Sequence, residues 1–142
     1  MILIDTDHLS VLAEARTKGH EELKSRLQRA AEPCAVTVVS LEEQMRGWLA
    51  LIHRRKDIHE QVHAYDRLVR LVEFFGEWDI VRLDDRAADR FKALKRERLK
   101  IGTMDLKIAS IALVHDALLL SANLRDFSRI PGLMVQDWLS AA

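Results

Sequence analysis

A chain of 142 residues that is 49% apolar and 31% charged has the make-up of a soluble domain with a full hydrophobic core, which excludes a disulfide-stapled miniprotein and a disordered chain. Its formal net charge is zero, so bulk electrostatics gives no pull toward nucleic acid or a membrane surface. The single cysteine, Cys34, can form no intrachain disulfide and points to a reducing cytoplasm; no apolar run reaches the ~18 residues of a membrane span, and the N-terminus lacks the basic flank and long apolar region of a signal peptide.

Met1 to Ile4 reads as a buried strand that stops on Asp5-Thr6-Asp7. Asp and Thr are also good caps for the helix expected through Leu9, Leu12 and Ala13, but a cap needs only one acid. A helix from about Glu21 to Ala31 ends before Pro33. Cys34 to Ser40 is β-branched and apolar nearly throughout, as expected of a central parallel strand covered on both faces. Ser40 to Glu43 then fits a capping box, an N-cap hydroxyl and an acid three residues on that satisfy each other's amides. Leu41, Met45, Trp48 and Ile52 mark the apolar face of the helix that follows, while Glu43, Gly47 and Ala50 form a second stripe. Small residues below an acid admit another segment, which places Glu43 at a cleft.

Asp57 to Gly76 is the longest expected helix, with Ile58, Val62, Tyr65, Val69, Val72 and Phe75 as its core face. Within it His59-Glu60-Gln61-Val62-His63 matches the H-E-x-x-H zinc signature. Both His residues fall on a stripe with Asp66 and Arg70, beside the apolar face, and Asp66 and Val69 stand where the extended motif has Gly and His. A solvated helix face is the better reading; a zinc site needs a third ligand such as Glu77 or Asp79.

Ile80 to Leu83 reads as a short strand, and Asp84 as the cap of a helix from Asp85 to about Leu99 whose second half gathers Arg90, Lys92, Lys95, Arg96, Arg98 and Lys100. Such a run is ordinarily a solvated face, yet just before Asp105 it also offers local attraction for phosphates. Gly102-Thr103 reads as a stop followed by an N-cap, and Asp105 lies in the first turn of an almost wholly apolar helix. Leu118 to Leu120 is a strand, Ser121 to Phe127 a loop, Pro131-Gly132 a turn and Leu133 to Val135 a last strand. Asp137-Trp138-Leu139 is expected to begin a helical turn. Residues 1–142 read as one domain.

Apolar strands alternating with amphipathic helices imply an α/β fold with a parallel sheet covered on both faces, in which ligands bind outside the carboxyl ends of the strands. Asp5, Asp7, Glu43 and Asp126 follow strand-like runs, and Asp105 opens a helix leading into one. Carboxylates that converge must take up protons or bind a cation, and all-oxygen ligands favour hard ions such as Mg2+ or Mn2+.

The segments Ile2 to Ser10, Val39 to Gly47, Ile101 to Ala109 and Leu120 to Phe127, with Ile130 to Leu133 and Asp137-Trp138 behind them, together resemble the PIN-domain ribonucleases, particularly the VapC toxins of bacterial toxin–antitoxin pairs. The resemblance implies a three-layer α/β/α fold with a short parallel sheet of four to five strands, and metal-dependent endoribonuclease action. By it Asp5, Glu43 and Asp105 take the positions of the acidic triad, with Glu43 preferred to Glu42 because it lies four residues before Gly47. Asp126 or Asn123 supplies the fourth group. The triad and Asp126 would hold Mg2+ or Mn2+, which activates water, supported by Thr6, Asp7, Ser121 and Asn123. Lys92, Lys95, Arg96, Arg98 and Lys100 would steer RNA. Asp7 stands where the family commonly has Asn, and Lys107 where it commonly has an apolar residue. A homodimer is also implied, as is a VapB-like antitoxin, for which the long helix and Trp48-Leu49 offer an apolar groove. The alternatives are a zinc peptidase built on His59, Glu60 and His63, and a non-catalytic PIN-like module whose acids only cap helices.

Overall fold

The computed structural model describes residues 1–140. Its elements in chain order are β1 (Ile2–Ile4), α1 (Thr6–Ala13), α2 (His20–Ala30), β2 (Cys34–Thr37), α3 (Val38–Arg54), α4 (Ile58–Gly76), β3 (Ile80–Val81), α5 (Asp85–Arg96), α6 (Thr103–Val114), β4 (Leu118–Leu120), α7 (Leu124–Phe127) and β5 (Met134–Gln136). The strands form one sheet in the order β3-β2-β1-β4-β5, and every pairing is parallel. No helix among the described residues is long and apolar enough to cross a membrane.

The pleat of β1 sorts its side chains between two cores. Leu3 packs on one face with Ala35, Leu119 and the buried residues of α5, α6 and α7. Ile2 and Ile4 pack on the other with Val36, Leu120 and residues from α1 to α4. The result is the expected three-layer α/β/α arrangement, with β1 in the middle of the sheet and its C-terminal end facing the loops that carry the acids. All-round apolarity explains α6: Ile108, Ala109, Ile111 and Ala112 are fully buried, as a helix enclosed by protein requires.

Several local expectations are corrected. The β-branched run from Cys34 leaves the sheet at Thr37, not Ser40, because the Thr37 Oγ1 accepts the Ser40 N–H at 3.1 Å and starts α3 at Val38. Ser40 is therefore inside the helix and the capping-box account of Glu43 fails. The N-cap of α6 is Gly102, with no side-chain cap, so Thr103 is the first helical residue instead of the cap. Leu124 to Phe127, expected as loop, is a helical turn, and β5 begins one residue late at Met134. After β5 the chain does not enter a helical turn: the Leu139 and Ser140 N–H groups both donate to the Asp137 Oδ1, which forms a bend.

The largest correction concerns α4. The buried face of that helix is Ala64, Leu71 and Phe75, whereas Ile58, Val62, Tyr65, Val69 and Val72 are exposed. The helix carries two apolar stripes, and the smaller-looking one docks because it lies opposite α3 and the sheet.

Candidate active site

Asp5 follows the last residue of β1, and its backbone N–H donates to the Leu120 carbonyl at 3.0 Å, which continues the β1–β4 pairing by one step. The side chain caps α1 through the Thr6 N–H at 2.8 Å and accepts the Ser121 hydroxyl at 2.8 Å. Ser121 stands at the equivalent place after β4 and is fully buried. Its oxygen also accepts the Asn123 N–H at 3.1 Å, so one hydroxyl fixes both a carboxylate and the loop beyond it. The Asn123 Nδ2 then donates to Asp105 and to Asp126, each at 3.1 Å. Asn123 and Asp126 are thus not alternatives for one place: the amide bridges two acids.

Burial holds the Asp5 carboxyl above its ordinary value, with Asp7 and Asp105 adding to the effect against the Ser121 and Thr6 hydrogen bonds. Glu43, one turn into α3, is raised by burial and then by the charges of Asp5 and Asp105. Asp105 is raised by burial and by Asp126, against the Asn123 amide. Packing of α3 on α6 brings Glu43 and Asp105 together. Three acids distant in sequence therefore share one electrostatic environment at the carboxyl ends of β1, β2 and β4.

Asp7 behaves differently. Burial acts to raise it, but the His8 ring, the Ala122 N–H and the His8 N–H together hold it below the usual carboxylate range. The Ala122 N–H donates to its Oδ2 at 2.8 Å and the Ser121 hydroxyl lies 3.4 Å away. Its Oδ1 meets the His8 Nδ1 at 2.6 Å. His8 is fully buried, and its Nε2 accepts the Trp138 backbone N–H at 3.0 Å. Nδ1 must then carry the proton given to Asp7. Sequence reading missed His8 and Trp138, for a lone His one residue after a capping acid carries no signal of burial.

The cluster has little cationic compensation. Among the described residues no Lys or Arg stands within 4.0 Å of Asp5, Glu43 or Asp105, and the nearest basic pairing is Arg129 to Asp126 at 3.9 Å. Arg46 is engaged by Glu42 at 2.7 Å. Oxygen-only donors without a counter-charge fit a hard divalent cation. Among the described residues no three acidic or imidazole groups already enclose a metal position; Mg2+ characteristically takes one or two carboxylates and keeps several waters, so an open cleft suits it better than a closed cage. Thr6 is placed beside the cluster by its N–H, but its hydroxyl is buried with no hydrogen-bond partner.

The basic residues fall into two groups. Arg129 donates to the Lys100 carbonyl at 2.9 Å, which sets Lys100 close to Asp126 at the rim of the cleft. Lys92, Lys95 and Arg96 gather around Phe91 on the outer surface of α5, and Arg98 is exposed in the turn after it, at φ 55. His59, Glu60 and His63 are all exposed on α4. Neither Glu77 nor Asp79 joins them, and no metal-holding group of three forms there among the described residues. A cleft of about 420 Å³ runs between α1, α3 and α4, lined by Leu9, Ala13, Trp48, Leu71 and Phe74.

A parallel sheet that ends on an uncompensated acidic cleft between helical layers defines an α/β/α domain with a hard-cation type of donor set. The particular family follows from comparison: the PIN domain profile matches residues 2–133, and the chain belongs to the PIN-domain family. It is similar to Ribonuclease VapC2 of Rickettsia felis, 42% identical over 45 residues, or 32% of this chain and 34% of that protein. It is also similar to Ribonuclease VapC1 of the same organism, 48% identical over 42 residues, or 30% and 31%. Each match spans about a third of the relative's length. Among solved structures, VapBC2 from Rickettsia felis bound to a promoter DNA fragment aligns with TM-score 0.70 and 22% identity, covering 97% of this chain and 99% of that one. VapBC-1 from nontypeable Haemophilus influenzae aligns with TM-score 0.72 and 24% identity, covering 99% and 100%. At these identities the structures speak for the fold.

Proposed function

We infer that this chain is a divalent-cation-dependent endoribonuclease of the VapC kind, the toxin of a toxin–antitoxin pair acting in the cytoplasm. The observation that carries the reading is the set of Asp5, Glu43 and Asp105, buried enough to be raised in pKa despite the more distant Arg46 beside Glu43. Support comes from the similarity to two proteins named as VapC ribonucleases. In this reading Asp5 and Asp105 hold Mg2+ or Mn2+, with Asp126 completing the oxygen set. The bound cation supplies a lowered pKa for water and neutralises charge on the phosphate.

The chain's own residues do the rest. Glu43 takes the proton from the water that attacks phosphorus while the bridging P–O bond breaks and the leaving ribose oxygen takes a proton from solvent, a task suited to a carboxylate raised by burial and by the charges of Asp5 and Asp105. Ser121 keeps Asp5 pointed into the cleft, Asn123 bridges Asp105 and Asp126, and Asp7 fixes the Ser121–Ala122 backbone. Thr6 positions Asp5 through its N–H. Lys100, with Arg98, Arg96, Lys95 and Lys92 behind it, draws the RNA backbone toward the rim. An antitoxin segment of the VapB type occupies the apolar cleft between α1 and α4.

The test is cleavage of RNA by the purified chain in Mn2+ or Mg2+, with EDTA and Asp105→Asn as controls, beside growth of cells expressing either form without an antitoxin. Cleavage and growth arrest confined to the parent with metal are expected. Equal growth of both, with no cleavage in Mn2+, would leave a non-catalytic PIN-like module.

A further inference from the structure

The acids around the end of β1 differ in how far their own chain satisfies them. An ionised carboxylate offers about four acceptor sites, two on each oxygen. Asp7 uses them all: Oδ1 accepts the His8 backbone N–H at 2.7 Å and the His8 Nδ1 proton at 2.6 Å, while Oδ2 accepts the Ala122 N–H at 2.8 Å and has the Ser121 hydroxyl 3.4 Å away. Asp5 accepts one donor at each oxygen, the Thr6 N–H and the Ser121 hydroxyl, both at 2.8 Å. Asp105 accepts the Asn123 amide at Oδ2. Asp5 and Asp105 therefore keep lone pairs for a cation, and Asp7 has none to give.

Ser121 has a single hydroxyl proton, set 2.8 Å from Asp5 and 3.4 Å from Asp7. It stays with Asp5 as long as another donor satisfies Asp7, and that donor is the His8 ring. His8 is fully buried, and only one neutral form of it fits. The Trp138 backbone N–H can donate and cannot accept, so Nε2 is bare and Nδ1 carries the proton. The other tautomer would set a lone pair against the Asp7 Oδ1 and a proton against the Trp138 N–H; the Asp137 Oδ1, at 3.6 Å from Nε2, is too far to take that proton. Trp138 is itself fastened, with its Nε1 donating to the Gln136 Oε1 at 2.8 Å and the Arg26 guanidinium 4.2 Å from the ring centre. We propose that His8 is a positioning residue of the cation site, its tautomer set by the Trp138 backbone: the Nδ1 proton saturates Asp7, which keeps Asp7 out of the cation's coordination and leaves the Ser121 proton to Asp5.

This role rests on Asp5 and Asp105 being cation ligands, and it is tested on the full chain by calorimetric titration with Mn2+ and by a long-range 1H–15N spectrum of the 15N-labelled protein. The spectrum of the parent should show His8 as the Nδ1–H tautomer, and needs no variant. Two substitutions divide the ring's contacts. His8→Asn places an amide N–H where Nδ1 reaches Asp7, and His8→Gln places an amide oxygen where Nε2 reaches Trp138. Each leaves one buried partner unpaired, so urea midpoints should fall in both. Mn2+ affinity should separate them: His8→Asn binds as tightly as the parent, and His8→Gln loses about tenfold, as removal of an outer partner of a ligand does. A His8→Gln chain that binds like the parent, a His8→Asn chain as weak as His8→Gln, or an Nε2–H tautomer in the parent overturns the role of His8 and leaves the nuclease reading standing. A parent that binds Mn2+ and cleaves no RNA removes the nuclease and leaves the role of His8 intact, and a parent that binds no Mn2+ overturns both.

Discussion

The Ser121 hydroxyl donates to the Asp5 Oδ2 at 2.8 Å, across 116 positions of sequence, and both residues sit one step beyond paired strands. Removing that donor leaves a buried carboxylate short of a partner, which costs about 1–3 kcal/mol. Ser121→Ala should therefore lower urea stability by that amount in metal-free buffer, while Ser128→Ala, in the exposed turn after α7, should stay within about 0.5 kcal/mol.

Neutralising the cluster should have the opposite sign. Asp105 is raised by burial and by Asp126, so its charge works against the folded state. Asp105→Asn should raise the thermal midpoint in EDTA at neutral pH by a few °C, as about 1 kcal/mol does in a domain of this size. Added Mg2+ should raise the parent further, as a ligand of the native state does, and leave the variant unmoved. Activity should fall by at least about 100-fold, read from initial rates of RNA cleavage.

The pH dependence follows from the same groups. Asp5, Glu43 and Asp105 all have folded pKa values above their unfolded ones, so the native state binds protons more tightly. Their contribution is fully present below the ordinary carboxylate range and is lost as pH rises through the raised values. Asp7 and Asp137 are lowered, so theirs is present above the ordinary range and lost as pH falls through the depressed values. Metal-free protein should accordingly lose stability as pH climbs from the ordinary carboxylate range toward neutrality, and saturating Mg2+ should flatten that decline. Midpoints measured in EDTA and in Mg2+ across this window decide it.

The H-E-x-x-H match should be silent in function. With His59, Glu60 and His63 exposed and no third ligand among the described residues, a His59→Ala/His63→Ala chain should cleave RNA at the parent rate and bind no zinc. A zinc-dependent peptidase activity in the parent that the double variant lacks would be the contrary result in a rate assay.

Charge reversal of Lys92, Lys95 and Arg96 should raise KM for RNA several-fold and flatten its salt dependence, with kcat little changed, because contacts to phosphates act before chemistry. Equal falls in kcat and kcat/KM would place these residues elsewhere in the reaction. Kinetics at two salt concentrations separate the two.

Convergence of Asp5, Glu43 and Asp105 was legible because each follows or opens an apolar run, and parallel sheets gather the carboxyl ends of their strands. The exit of the chain from the sheet at Thr37 was not, because Val38 and Val39 have the same β-branched chemistry as the strand before them. Nor was the docked face of α4: its two apolar stripes look alike in sequence, and only packing against α3 and the sheet selects Ala64, Leu71 and Phe75. Asn123 was visible as a candidate, but its bridging of Asp105 and Asp126 depends on the helical turn at Leu124.

His8, locked between Asp7 and the Trp138 backbone, gives the cleft a timing as well as a shape. One side of it is made in the first eight residues of the chain and the other is secured only by residues from Leu118 onward. A nascent chain still waiting for Trp138 to emerge from the ribosome has its acids but lacks their frame. The acids at one edge of the cleft are therefore framed only once residues more than a hundred positions later have folded back onto them.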